Sequence, residues 1–124
     1  MTAKHLERGR QGEDIAASFV EELGWKILDR NVVFRGGELD IVAMDSSELV
    51  IAEVRTRAEG WMQPGEDSVG PRKLGRLVRS GRLYADMRGW EGPWRIDILS
   101  VTVKNDGTHS IERFEDVTGG AWFS

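Results

Sequence analysis

Gly37-Glu38-Leu39-Asp40-Ile41-Val42-Ala43, followed thirteen residues after Asp40 by Glu53-Val54-Arg55, is the most constraining stretch of this chain. Both runs are built of strand-forming residues and carry charges at alternate positions. Side chains at i and i+2 of a strand share a face, so Glu38 projects with Asp40 and Glu53 with Arg55. If the two strands pair as a hairpin, three carboxylates and one guanidinium converge on one patch. Such a patch can hold a divalent cation beside a phosphate. Acids inside otherwise apolar strands are costly to bury without partners.

Working outward, the residues before this stretch predict a helix from about Glu7 to Gly24, with Ile15, Ala16, Phe19, Val20 and Leu23 on one side. Glu13 falls between Ala17 and Val20 on that wheel, so its carboxylate is expected to face inward. Trp25–Phe34 reads as a strand with a bend or bulge near Asp29-Arg30-Asn31. Arg35-Gly36-Gly37 is a turn, Glu38–Met44 a second strand, and Asp45-Ser46-Ser47 a tight connection. Glu48–Thr56 is a third strand whose near-continuous apolar run suits a central position.

Ala58–Gly70 reads as a loop, with Trp61-Met62 in it. Pro71 suits the first position of a second helix running to about Met87, with Leu74, Leu77, Val78, Tyr84 and Ala85 turned to the core. Gly75 and Gly81 each weaken that helix by roughly 1 kcal/mol relative to alanine. Trp94–Val103 predicts a half-covered strand, Asn105-Asp106-Gly107 a hairpin turn, and Ser110–Phe114 a short edge strand. This order of elements argues a mixed sheet with helices packed against it.

The whole chain, 124 residues with 40% hydrophobic and 31% charged side chains, is expected to form one domain. It has no cysteine, which excludes disulfides and thiolate metal sites. No apolar run reaches the roughly 20 residues a membrane span requires, and no signal-peptide pattern follows Met1. A cytoplasmic location is therefore expected. The net charge of −4 argues against a uniformly basic surface, but local charge decides where a polyanion docks.

Four acids and one helix carry the candidate chemistry. Mg²⁺ or Mn²⁺ takes oxygen ligands, often one or two carboxylates completed by water. Asp40 and Glu53 on neighbouring strands fit that demand, with Glu13 and Glu38 nearby. The alternative is a set of rim ion pairs, Glu38 with Arg35 or Arg57 and Glu53 with Arg55. Arg55 cannot deprotonate but can clamp a phosphate through two donors. The second helix carries Arg72, Lys73, Arg76, Arg79, Arg82 and Arg88 against one acid, Asp86. Arg72, Arg76 and Arg79 form one face, a footprint for a phosphate backbone or simply a solvated surface. Lys73 lies at the border of the core face, near Ser80 and Tyr84, and is placed to reach into a site. Arg35 and Arg57 join Arg72, Lys73 and Arg76 as candidate phosphate contacts. His5 and His109 are isolated. Trp25 and Trp94 read as packing, and Trp61 and Trp90 as loop residues that either pack or stack on bases. There is no glycine-rich phosphate loop and no serine nucleophile motif.

These residues in combination (Gly12-Glu13, Gly24, Asn31, Gly37-Glu38-Leu39-Asp40, Glu53-Val54-Arg55-Thr56-Arg57, Lys73, Arg95-Ile96-Asp97) resemble the PD-(D/E)xK nuclease superfamily. Within it the chain looks like the YraN-like bacterial family, related to Holliday junction resolvases. The resemblance implies a restriction endonuclease-like αβββαβ core and metal-dependent cleavage of DNA, including branched or junction DNA. By that resemblance Asp40 and Glu53 would be metal ligands, Glu13 an accessory acid, and Arg55 would stand where the motif has lysine. Lys73 is then the candidate source of the missing ammonium. If Arg55 prevents turnover, the same scaffold would be a nucleic-acid-binding module. A junction with two-fold symmetry would favour a homodimer.

Overall fold

The computed structural model describes residues 3–60 and 69–118, with side chains from residue 9 onward. The elements are α1 (Ala3–Glu22), β1 (Lys26–Phe34), β2 (Gly37–Asp45), β3 (Glu48–Ala58), α2 (Pro71–Met87), β4 (Trp94–Val103) and β5 (His109–Phe114). The first six form the expected αβββαβ core, and β5 extends the sheet. His5 lies in α1 with its side chain not described, and Trp61-Met62 lie outside the described residues.

The strands lie in the order β1-β2-β3-β4-β5. β1/β2, β2/β3 and β4/β5 are antiparallel, and β3/β4 is parallel. A parallel pair requires a long crossover, and the segment holding α2 supplies it. Alternation along the strands divides the core in two. Ile41, Ala43, Val50, Ala52, Leu99 and Val101 pack with Ala16, Ala17 and Val20 of α1. Val42, Leu49, Ile51, Ile96 and Ile98 pack with Leu77, Val78, Tyr84 and Ala85 of α2. The sheet is thus covered by one helix on each face.

One local expectation is corrected, for β4, and two are refined. The bulge in β1 falls between Ile27 and Asp29, just before the predicted place. Asn31 carries the remaining irregularity, with φ 54°. β4 is not half covered, because Arg95 through Val101 are all buried. Its apparent polar face, Arg95 and Asp97, is buried by ion pairing. At Gly81 the packing that holds the helix is close enough to need glycine, since a Cβ there would come within 2.6 Å of the Trp94 ring. Gly75 has open space around it.

Candidate functional site

β2 and β3 part company partway along their length. Their pairing runs from Asp45/Glu48 to Ile41/Ala52. Beyond that point β2 stays with β1 as far as Gly37/Phe34, and β3 stays with β4 as far as Ala58/Val103. The sheet therefore forks, and Asp40 and Glu53 stand one step past the last pair. Both lie on the α2 side, by alternation from Val42 and Ile51. The main-chain N–H of Val54, directed toward β2, donates to Oδ2 of Asp40 at 2.9 Å. A side chain thus closes a ladder that the backbone leaves open.

Asp40 also hydrogen-bonds to the Glu53 carboxylate, and its pKa is pushed up to about 7. Burial is the largest cause, followed by the hydrogen bond to Glu53 and its charge; the Val54 N–H and Lys73 pull the other way. Two carboxylates in contact cannot both stay ionised cheaply without a cation between them.

That pair already has one cation. Lys73 Nζ lies 2.9 Å from Oε2 of Glu53, whose side chain is only 6% exposed, whereas that of Lys73 is 48% exposed. Pro71 starts α2 and sets Lys73 in its first turn, above the fork. The ion pair to Glu53 is thus with Lys73 of α2, and Arg55 lies two residues along β3 on the same face. Glu38, Asp40, Glu53, Arg55, Thr56 and Lys73 line an open cleft of about 540 Å³.

Glu13 reaches the neighbourhood because α1 presses against β3. Gly12 is buried, and a Cβ built on it would meet Thr56 Oγ1 at 1.9 Å. The half-buried Glu13 carboxyl is raised above the ordinary range by burial first and then by the Asp40 charge, and Glu38 adds to this. Arg30 and a hydrogen bond with Asn31 oppose the shift. Asn31 adopts its left-handed conformation where this contact is made, a conformation asparagine tolerates better than most residues. Among the described residues no group of three or more acids or histidines is close enough to hold one ion. The convergence expected of three carboxylates is a pair, with Glu13 and Glu38 flanking it.

The pair suits a hard divalent ion. All its donor atoms are carboxylate oxygens, two such groups meet on one face, and the cleft is open to the waters that complete a Mg²⁺ or Mn²⁺ shell. Asp40 and Glu53 would be the ligands, and Glu13 could act only through water. Bound there, the ion would polarise a phosphate oxygen and lower the pKa of a coordinated water.

The basic residues ring this cleft unevenly. Arg72, Lys73, Arg76 and Arg79 are exposed along α2, and Arg35 is exposed in the β1–β2 turn. Arg57 follows Arg55 on the same face of β3 and donates from Nε to Thr102 Oγ1 at 3.3 Å. Arg88 pairs with Asp29 at 3.7 Å. His109 is exposed on β5, outside the cleft lining. Trp90 is packing: it is half-buried, and its Nε1 donates to the Pro93 carbonyl at 3.0 Å.

A second polar cluster has a role that the sequence pattern alone does not show. Asp97 is fully buried and accepts from Arg95 Nε at 3.0 Å, Arg113 Nε at 3.2 Å and the Asp116 N–H at 2.9 Å. Arg95 also bonds Asp45 and Glu48, which close the β2–β3 hairpin. Burial works against the Arg95 charge, but the bonds to Asp97, Asp45 and Glu48 outweigh it and raise the pKa. Arg95 and Arg113 both lie over the Trp25 ring, at 5.3 and 5.1 Å. The only sequence signal was opposite charges at alternate positions of an apolar strand, Arg95-Ile96-Asp97. This cluster runs from the hairpin to the level of the fork, on the α1 face of the sheet, opposite Asp40 and Glu53.

Comparison with known proteins places these features in a family. The model of "Uncharacterised protein family UPF0102" matches residues 12–101, a span containing Glu13, Asp40, Glu53, Arg55 and Lys73. A UPF0102 protein of Porphyromonas gingivalis is 41% identical over 106 residues, covering 86% of this chain and 78% of that protein. One from Pseudarthrobacter chlorophenolicus is 40% identical over 118 residues, 94% of this chain and 89% of the relative. One from Marinobacter nauticus is 38% identical over 105 residues, 84% and 85%. The YraN-like resemblance agrees with these matches, and the chain belongs to the UPF0102 family.

Proposed function

We propose that this protein is a Mg²⁺- or Mn²⁺-dependent endonuclease that hydrolyses phosphodiester bonds of DNA, with branched or junction DNA as its preferred substrate. The observation that carries the reading is the meeting of Asp40 and Glu53 at the fork of the sheet, with the Lys73 amine on Glu53. In this reading the two carboxylates hold the ion and Glu13 supports it through water. Arg55 and Lys73 face the scissile phosphate, and Arg35, Arg57, Arg72 and Arg76 hold the flanking backbone. A homodimer would match a two-fold-symmetric junction. Among the described residues no helix is long and apolar enough to cross a membrane, and a cytoplasmic DNA substrate is part of the proposal.

One observation favours a second reading. Arg55 stands two residues after Glu53 and cannot give up a proton. A nucleic-acid-binding module without turnover would follow if that proton is needed. A panel of junction, flap, single-stranded and duplex DNAs with Mg²⁺ or Mn²⁺ separates the two. The nuclease reading expects cleavage by the wild type and none by Asp40→Asn. Salt-sensitive binding without cleavage in either metal supports the binding module, and equal cleavage by both proteins removes Asp40 from the chemistry.

A further inference from the structure

We propose that Lys73 is an internal counter-ion that occupies the carboxylate pair until a divalent cation displaces it, so that metal uptake and release of the Lys73 amine are one exchange. The inference rests on the metal-site reading of Asp40 and Glu53, and it concerns what holds that site when no ion is bound.

The argument starts from charge. Glu53 is almost fully buried, and Asp40 touches it. Buried carboxylates in contact need a positive partner or a shared proton. Lys73 supplies the positive partner at 2.9 Å, on Oε2 of Glu53. It also acts on Asp40, whose carboxyl it pulls down against the effect of burial. An ammonium that close to Oε2 repels a divalent ion and competes for the same lone pairs. The two cannot both take full advantage of Glu53.

The geometry lets the amine leave. Lys73 is in the first turn of α2, its side chain is about half exposed, and it borders an open cleft shared with Arg55. Four methylenes swing the ammonium out of contact without moving the helix. Once displaced it stays in the cleft, where a phosphate would meet it next to Arg55. Loading the metal would thus deliver a second positive group to the substrate side.

Direct Mn²⁺ titration of the full chain, followed by electron paramagnetic resonance of the free ion, tests this without any nuclease readout. Lys73→Met removes the competitor and keeps the stem, and it should bind Mn²⁺ roughly three- to tenfold more tightly than wild type. Lys73→Arg keeps a competitor and should bind close to wild type, and Asp40→Asn should lose the site. Lys73→Met should also cleave more slowly although it binds metal better, an opposition that a merely structural role would not produce. Unchanged or weaker Mn²⁺ binding by Lys73→Met overturns the proposal, as does absence of Asp40-dependent binding in every variant. Failure of the nuclease reading looks different: Mn²⁺ binds and responds to Lys73→Met, yet no DNA is cut.

Discussion

Asp40 completes the sheet where the backbone cannot: its Oδ2 takes the Val54 N–H at 2.9 Å across the gap that opens beyond Ile41 and Ala52. The same carboxyl bonds Glu53 and is pushed up to about 7, chiefly by burial. The residue is therefore both a strand partner and half of the acid pair, and the two duties make different demands on its charge.

From this comes a stability prediction with a definite sign. In the unfolded chain Asp40 ionises near 3.8, and in the folded chain near 7. Between those values the folded state binds the extra proton, so stability falls as pH rises through this window. By neutral pH the loss is on the order of 4 kcal/mol. Asp40→Asn should escape it, because an amide can accept from Val54 and donate to Glu53 with no charge. Urea denaturation in EDTA should show the variant more stable than wild type at pH 8, with little difference near pH 4. Added Mg²⁺ should narrow the gap at pH 8 by stabilising the wild type alone.

Gly12 sets how closely α1 approaches the fork. Alanine there brings Cβ within 1.9 Å of Thr56 Oγ1 and 2.8 Å of Thr56 Cβ, so the helix must shift. Overpacking should cost about 1–3 kcal/mol, well above the helix-propensity gain of up to about 1 kcal/mol. Adding Thr56→Ala removes the nearest atom and should recover part of the loss. A double-mutant cycle by thermal denaturation measures the recovery, and strict additivity would contradict the contact.

Asp97 should be the acid whose loss harms folding most. Asp97→Ala leaves Arg95 and Arg113 without their shared buried acceptor, at a cost of about 3–5 kcal/mol. Denaturant midpoints in EDTA check this. Mn²⁺ affinity of the fraction still folded should be unchanged, because Asp97 lies on the α1 face of the sheet, opposite Asp40 and Glu53.

The basic face of α2 gives a prediction specific to nucleic acid. Arg72, Arg76 and Arg79 are exposed, and reversing them to glutamate should weaken DNA binding at all sequences alike. It should also flatten the dependence of log affinity on log salt, by roughly one unit of slope for each phosphate no longer neutralised. Fluorescence anisotropy over a salt series reads both. An unchanged slope would remove this face from the interface.

Much of this molecule was legible in its residue pattern, for physical reasons. β2, β3 and both helices announced themselves through period-two and helical spacing, the shared faces of Glu38 with Asp40 and of Glu53 with Arg55 followed from pleat, and the meeting of Asp40 and Glu53 followed once the strands paired as a hairpin. Glu13 pointed inward because 100° per residue put it there. What the pattern lacked was distance between segments. Glu53 is paired with Lys73, twenty residues away on a helix. β4 read as half covered because Arg95 and Asp97 look solvated, until Asp45, Glu48, Arg113 and Trp25 close over them. Tyr84 read as plain core, yet its hydroxyl reaches Asp29 on β1 at 2.5 Å. Each miss involves a polar contact between residues remote in sequence, for which periodicity carries no signal.

The cluster around Arg95 has a mechanical consequence. It rivets the hairpin of β2 and β3 to β4, to β5 and to Trp25, while the far ends of β2 and β3 diverge. The hairpin is thus held by charge as well as by backbone, and the span across the fork by the Asp40 carboxyl on the Val54 N–H, so that neutralising one fastening leaves the other in place.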